Sequence, residues 1–356
     1  IFAIQDEIAE AILNATKIRL FGEDKEALSQ TYSDNIEAYD LYLKGRYHMH
    51  KFTPDGLFRA IDYYDAAIAL EPNFAIAYAG LTMCYTSLKD FNWTTDMEAI
   101  PKAKKAANKS LELDDTISES HMAVGRILLH QEWRIQNALV QYKKALSINP
   151  NSADCHSQIG MCLVLLGHTE EALVHAETAI RLDPFSILNL WISTPAYSCA
   201  GDHQTVIANG RRILELDPNM PTGHMWIGLG HVGLKEYDRA ITALQTMVKL
   251  NPGPYSLSLL GLTYGLMGEK EKAEEIIERI EAYEVVKTAG NFFAGNVYAS
   301  IGKADAAFRY FERAVENHEG HVLWIQFYVL RYMPELLRDV RTKKLFDKIG
   351  LPHIEW

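Results

Sequence analysis

Small and apolar residues recur along this chain at a fixed spacing. Ala138, Tyr142, Ala145 and Pro150 are separated by steps of 4, 3 and 5, and Ala172, Ala176, Ala179 and Pro184 repeat those steps 34 residues later. The same steps join Ala60, Tyr64, Ala67 and Pro72, and again Ala240, Leu244, Met247 and Pro252. Val206, Gly210, Ile213 and Pro218 form a weaker copy. Steps of 4 and 3 place three residues on one face of a helix. The proline that follows stops the helix, because it lacks an N–H and restricts the residue before it. Upstream of each such helix lies another apolar-periodic stretch, as in Ile159, Gly160 and Leu163 or Ile227, Gly228 and His231, with Gly167 and Gly201 as turn residues in between. The pattern predicts paired helices. One pair cannot hide its own apolar face, whereas stacked pairs can, with stability spread over nearest-neighbour contacts. Small residues such as Ala172 and Ala179 let adjacent helices approach closely.

A helix–turn–helix of 34 residues with Gly at the eighth position, Ala at the twentieth, an aromatic at the twenty-fourth and Pro at the thirty-second resembles the tetratricopeptide repeat. Eight units align with it: roughly 38–74, 75–117, 118–152, 153–186, 187–220, 221–254, 255–287 and 288–321. Asp115 and Glu319 replace the proline in the second and eighth. The resemblance implies an all-α fold, a right-handed superhelical solenoid of about eight repeats with N- and C-terminal capping helices. Its parts would be a helical linker or cap at 1–37, the array at 38–321 and a capping segment at 322–356.

The ends are similar to a narrower bacterial family, through Ile1-Phe2-Ala3-Ile4-Gln5-Asp6-Glu7-Ile8-Ala9, Glu37 to Tyr47, and Leu336 to Pro352. In that family the repeats follow an adenylate or guanylate cyclase domain, a winged-helix regulator or a protein kinase, often through a TolB-like segment. The sequence opens at Ile1 with no signal-like stretch and reads as the repeat half of a longer signalling protein, its effector lying elsewhere.

Composition agrees with a soluble folded chain: 48% hydrophobic and 23% charged residues, net charge −11. Acidity disfavours nucleic acid unless a basic stripe is segregated. The basic groups Lys102, Lys104, Lys105 and Arg338, Arg341, Lys343, Lys344 are interrupted and flanked by acids, as solvated helix faces are. An RNA-binding helical repeat of related length would need a basic inner face, which this chain lacks. No apolar run reaches the roughly 18 residues of a membrane span. Cys155 and Cys162 would lie roughly 10 Å apart along one helix, beyond disulfide reach. With Cys84 and Cys199 they read as buried small residues in a reducing, cytoplasmic setting.

Positions 2, 5, 9 and 12 of each first helix fall on a different face from positions 4, 7, 8 and 11. By the resemblance, the former line the inner groove. They include Met83, Met122, Arg126, Met161, Trp191, Met225 and Leu229, an apolar, methionine-rich stripe. Methionine adapts to varied apolar partners, so the expectation is a protein-interaction scaffold or sensor that holds an amphipathic helix or extended apolar segment and regulates a fused effector. The alternatives are that the stripe packs between repeats, or that the array's own end fills the groove. The family's carboxylate-clamping mode finds only Arg126 and is not supported.

Two units carry insertions, of about three residues around Lys51–Gly56 and about nine in Leu88–Asp96. Inserted loops often bind; Phe91 and Trp93 either contact a partner or cap the next repeat. Pro195 interrupts a predicted helix from Ile187 to Ala200 beside Trp191 and is expected to kink it. Gly228, Gly230 and Gly233 fit G-x-G-x-x-G, yet lie inside a predicted helix with no strand before it, against a dinucleotide site. His121, His156 and His224 share the fourth position of their repeats, about 10 Å apart for neighbours, too far for one metal. No nucleophile–base set or phosphate loop stands out, so the chain is expected to be non-catalytic, with no cofactor and no metal.

Overall fold

The computed structural model describes residues 35–51, 53–90, 93–94, 97–283, 290–327 and 332–353. All regular structure in them is helical. In chain order the helices are α1 (Ile36–His50), α2 (Pro54–Leu70), α3 (Ala75–Asp90), α4 (Ala99–Leu113), α5 (Ser118–Arg126), α6 (Ile135–Ile148), α7 (Ala153–Leu165), α8 (Thr169–Leu182), α9 (Ile187–Cys199) and α10 (His203–Leu216). Then come α11 (Pro221–Gly233), α12 (Tyr237–Leu250), α13 (Pro254–Met267), α14 (Lys270–Glu281), α15 (Asn291–Ser300) and α16 (Ala304–Glu316). A 3-10 turn (Gly320–Trp324), α17 (Pro334–Leu337) and α18 (Val340–Ile349) follow. Odd- and even-numbered helices from α1 to α16 correspond to the first and second helices of the eight predicted repeats. The predicted N-terminal cap, 1–37, lies outside the described residues apart from 35–37. The helices form two compact units that meet in sequence at Ile127 and Leu128. The first unit holds α1 to α5, and the second α6 to α18.

Local signals explain the helix starts. The Asn35 carboxamide accepts from the Glu37 and Ala38 amides, Thr53 Oγ1 from Gly56, and Ser152 and Ser186 cap α7 and α9 in the same way. Each satisfies a donor that the first helical turn leaves unpaired. Pro221 and Pro254 begin α11 and α13, where a missing N–H costs nothing.

The 4, 3 spacing turns out to mark the buried stripe of every second helix. Ala60, Tyr64 and Ala67 are fully buried, as are Ala138, Tyr142 and Ala145, and Ala172, Ala176 and Ala179. The same register holds where the sequence signal was faint: Ala103, Ala107 and Ser110 in α4, Ala273, Ile277 and Ile280 in α14, and Ala307, Phe311 and Ala314 in α16. Glycines on first helices make room for the large residue of this stripe. A Cβ on Gly45 would stand 2.5 Å from the Tyr64 ring, and one on Gly295 would stand 2.6 Å from Phe311.

The second unit also repeats in its backbone. Left-handed residues end the first helices at Trp133, Gly167, Gly201, Lys235, Gly268 and Gly302, in steps of 34, 34, 34, 33 and 34. Trp133 (φ 53°) and Lys235 (φ 60°) hold a conformation that the other four turns give to glycine. Pro195 does not end α9, which runs on to Cys199.

Candidate partner-binding face

In the first unit, three successive first helices place Tyr39, Met83 and Met122 in half-buried positions. Arg46 is exposed one helix face along from Tyr39, and Glu119 is half-buried on α5. Burial raises the Tyr39 hydroxyl pKa, the Arg46 charge lowers it and the Glu119 charge raises it further. The phenol therefore senses charges from its own helix and from α5. Each of these three helices thus carries one half-buried aromatic or thioether group, with Arg46 and Glu119 on α1 and α5.

Arg126 departs from the expectation. Its side chain turns inward rather than lining this face: Nε donates to Thr86 Oγ1, and Nη2 donates to Ser87 Oγ at 3.2 Å and to Asp90 Oδ2 at 3.0 Å. The guanidinium keeps 9% side-chain exposure and Asp90 keeps 19%. A buried cation needs a paired carboxylate and filled hydrogen bonds, and α3 supplies both. Arg126 is thus a packing residue.

The second unit corrects the expectation for three more positions. Met161, Met225 and Leu229 are buried, while Trp191 is half-buried. Met225 Sδ accepts the Tyr255 hydroxyl of the next repeat at 2.8 Å, so it packs between repeats. The first helices here are buried nearly all round; in α7, every residue from Ser157 to Leu165 is buried. Part of the cover is the chain's own C-terminal segment. Phe327 meets Trp226 of α11 edge-on at 6.1 Å, and His321 sits 5.6 Å from the Tyr255 ring and 4.9 Å from Phe293. His318 stacks on Trp133 and bonds the Gln131 carbonyl at 2.9 Å. Glu319, itself buried, accepts from the Asn291 amide, the Asn291 carboxamide and the Phe292 amide, and so caps α15. The sequence raised filling by the array's own end without naming these residues. Of the alternatives left open, packing between repeats describes Met225, whereas the segment's described ring contacts are to Trp226, Tyr255 and Phe293.

Phe91 lies outside the described residues. Trp93 is half-buried and packs on the first unit's core. Nearby Met97, 80% exposed, was not singled out from the sequence. His121 is buried with Nε2 3.0 Å from the Asp115 carbonyl, whereas His156 lies with Nδ1 2.9 Å from Nδ1 of His175, a partner the repeat register did not indicate. The glycine fingerprint is a packing device. A Cβ on Gly228 would meet Leu244 at 2.6 Å, and one on Gly230 would meet Ile207 at 2.5 Å. None of the four cysteines is in a disulfide, and burial pushes the Cys84 and Cys162 thiols far up. Among the described residues, no helix is long and apolar enough to cross a membrane.

A tetratricopeptide repeat family model matches residues 141–174, one full period running from α6 through α7 into α8. The matched span is a tetratricopeptide repeat, and the other helix pairs share its all-helical, 34-residue pattern. Over 283 residues the chain is 25% identical to the transcriptional regulator HilA of Salmonella typhimurium, covering 79% of this chain and 44% of that protein. It is 28% identical over 131 residues to the putative adenylate cyclase 3 of Rhizobium meliloti, covering 36% of this chain and 22% of the other. The chain thus spans less than half the length of these curated relatives. Among solved structures, a tetratricopeptide repeat protein from Parabacteroides merdae is 16% identical with a TM-score of 0.45, covering 89% of this chain and 100% of that one. The tetratricopeptide fold supports a protein–protein interaction scaffold.

Proposed function

We propose that this chain is a non-catalytic protein-binding module that holds a partner segment on the inner face of its first unit and regulates an effector elsewhere in the full-length protein. The observation that carries the reading is that Tyr39, Met83 and Met122, on the first helices of three successive repeats, are all left half-buried. Thioethers and a phenol suit an apolar side-chain row, and the Glu119 charge selects its orientation. The partner is an amphipathic segment of protein, with a basic residue for Glu119. The net charge of −11 argues against nucleic acid. Four cysteines outside disulfides fit a cytoplasmic setting.

A second reading is that the chain is the regulatory half of a signalling enzyme, an adenylate or guanylate cyclase or a kinase. It rests on the similarity to the putative cyclase of Rhizobium meliloti, of which this chain matches only a part.

Capture by the purified chain tests the first reading. Met83→Glu with Met122→Glu should abolish recovery of a partner that the parent chain enriches, while the helical circular dichroism signal stays unchanged. Equal recovery by both chains contradicts it.

A further inference from the structure

His156 and His175 face each other across the two helices of the fourth repeat, α7 and α8. Their Nδ1 atoms are 2.9 Å apart and their ring centroids 5.0 Å. Gly160, one turn beyond His156, lets the helices close up here: a Cβ on it would stand 3.6 Å from His175 Cβ. The pair is not a rule of the repeat, because neighbouring repeats carry Gln141, Asn209 and Ala243 at the place of His175. His156 is also held from behind, its Nε2 3.4 Å from the Pro150 carbonyl. A carbonyl only accepts, so Nε2 carries the proton and the bare Nδ1 accepts from His175 Nδ1–H. Burial lowers the pKa of both rings; the Arg181 charge lowers His156 further, and the His156 charge lowers His175 further. Both are therefore neutral at neutral pH, the form in which imidazole binds metal. Both are half-buried, so the pair remains within reach of solvent.

We propose that His156 and His175 form a bidentate site for a divalent transition-metal ion, copper(II) or nickel(II), bound through both Nδ1 atoms. The separation selects the ion. Two metal–nitrogen bonds of about 2.05 Å span about 2.9 Å when they meet at a right angle, and about 3.3 Å at the tetrahedral angle. Right-angled nitrogen sites suit copper(II) and nickel(II), whereas tetrahedral ones suit zinc. The Pro150 carbonyl already fixes the tautomer and ring of His156, as an outer acceptor does for a metal-bound imidazole. Binding asks one change of His175: its Nδ1 proton moves to Nε2. The step is coordination alone, with no electron transferred and no net proton released. Among the described residues no third His, Cys, Asp or Glu completes a cluster, so water fills the remaining positions. Glu171, one turn before His175, acts on that ring's charge from an exposed pair with Lys143 at 3.4 Å, and offsets part of the charge of the ion. The ion clasps the two helices of one repeat and makes the stability of that repeat metal-dependent. This site is independent of the partner assigned to the first unit.

The test titrates copper(II) or nickel(II) chloride into the full chain at neutral pH in a non-coordinating buffer. Calorimetry reads affinity, and electron paramagnetic resonance reads the copper ligands. The first equivalent of copper should give a tetragonal spectrum with hyperfine lines from two nitrogens. His175→Ala should show one nitrogen and lose more than the roughly tenfold in affinity that removal of an outer-shell partner costs, with helical circular dichroism unchanged. His353→Ala, which removes an exposed imidazole elsewhere, should match the parent. Equal affinity in His175→Ala, or fewer than two nitrogens in the parent spectrum, overturns the proposal and leaves the pair a hydrogen bond. The parent chain also gives a readout free of any folding defect in a variant. Nickel should bind it more tightly than zinc and raise its unfolding temperature more; a preference for zinc would overturn the right-angled assignment.

Discussion

Trp133 and His318 stack face to face, with ring centroids 3.8 Å apart and planes 8° from parallel. Both are left-handed, at φ 53° and 54°, in turns where glycine is the usual occupant. Side chains there cost backbone strain of order 1 kcal/mol each. The stack is what the strain obtains: it ties the end of the last repeat to the first turn of the second unit. Gly350 closes the same junction, since a Cβ on it would stand 2.8 Å from the Trp133 carbonyl. His318→Gly should relieve strain yet lose the stack and the Gln131 bond. The expected outcome is faster hydrogen exchange across 320–327 with little change in the thermal midpoint of the whole chain.

Glu319 should prove costlier. It stands where the eighth repeat lacks proline, and its carboxylate satisfies three donors at the start of α15. Glu319→Ala should destabilise the second unit by about 2–3 kcal/mol, the scale of hydrogen bonds to a charged group. Glu319→Gln should recover part of it. Urea unfolding of both variants measures the difference.

Acid should loosen the C-terminal seat. Burial between Tyr255 and Phe293 lowers the His321 pKa to about 4, from an ordinary value of 6.5. The seated form holds the ring neutral, and the released form takes up a proton near its ordinary pKa. Seating is therefore at full strength above pH 6.5 and weakens as pH falls towards 4, by on the order of 2 kcal/mol given the residue's partial exposure. Protection of amides 322–327, corrected for the intrinsic exchange rate, should fall across that window in the parent chain and change far less in His321→Phe.

Arg126 separates packing from binding. Arg126→Ala removes the cation that faces the Asp90 carboxylate in a poorly hydrated site and should cost about 3–5 kcal/mol, seen as a lowered unfolding midpoint of the first unit. Arg126→Ala together with Asp90→Ala should recover much of that loss. A carboxylate-clamp role would instead reduce partner capture with stability intact.

The array was legible because its rule is local. Tyr142 and Phe311 sit at one repeat position, and steps of 4 and 3 put each on the same buried stripe whatever its neighbours do. What the sequence left open is which apolar face meets water. Met83 and Met225, at the ninth and fifth positions of their repeats, both fall on the predicted inner stripe, yet one is half-buried and the other packs under Tyr255. Hydrophobic period records that a face is covered and not by what. The seat of 318–327 depends on contacts such as His318 to Gln131, far apart in sequence, which no spacing rule encodes. Arg126 misled for a related reason: its partners Thr86, Ser87 and Asp90 lie one repeat back on α3.

An inner face accessible in the first unit and closed in the second predicts a definite order of methionine oxidation. With dilute peroxide and mass spectrometry on the folded chain, Met97 and Met267, at 80% and 40% exposure, should oxidise first. The half-buried Met83 and Met122 should follow. Met161, Met225 and Met247, at 4%, 0% and 1%, should resist until the chain unfolds. Oxidation of Met161 and Met225 as fast as Met83 in the folded chain would contradict it.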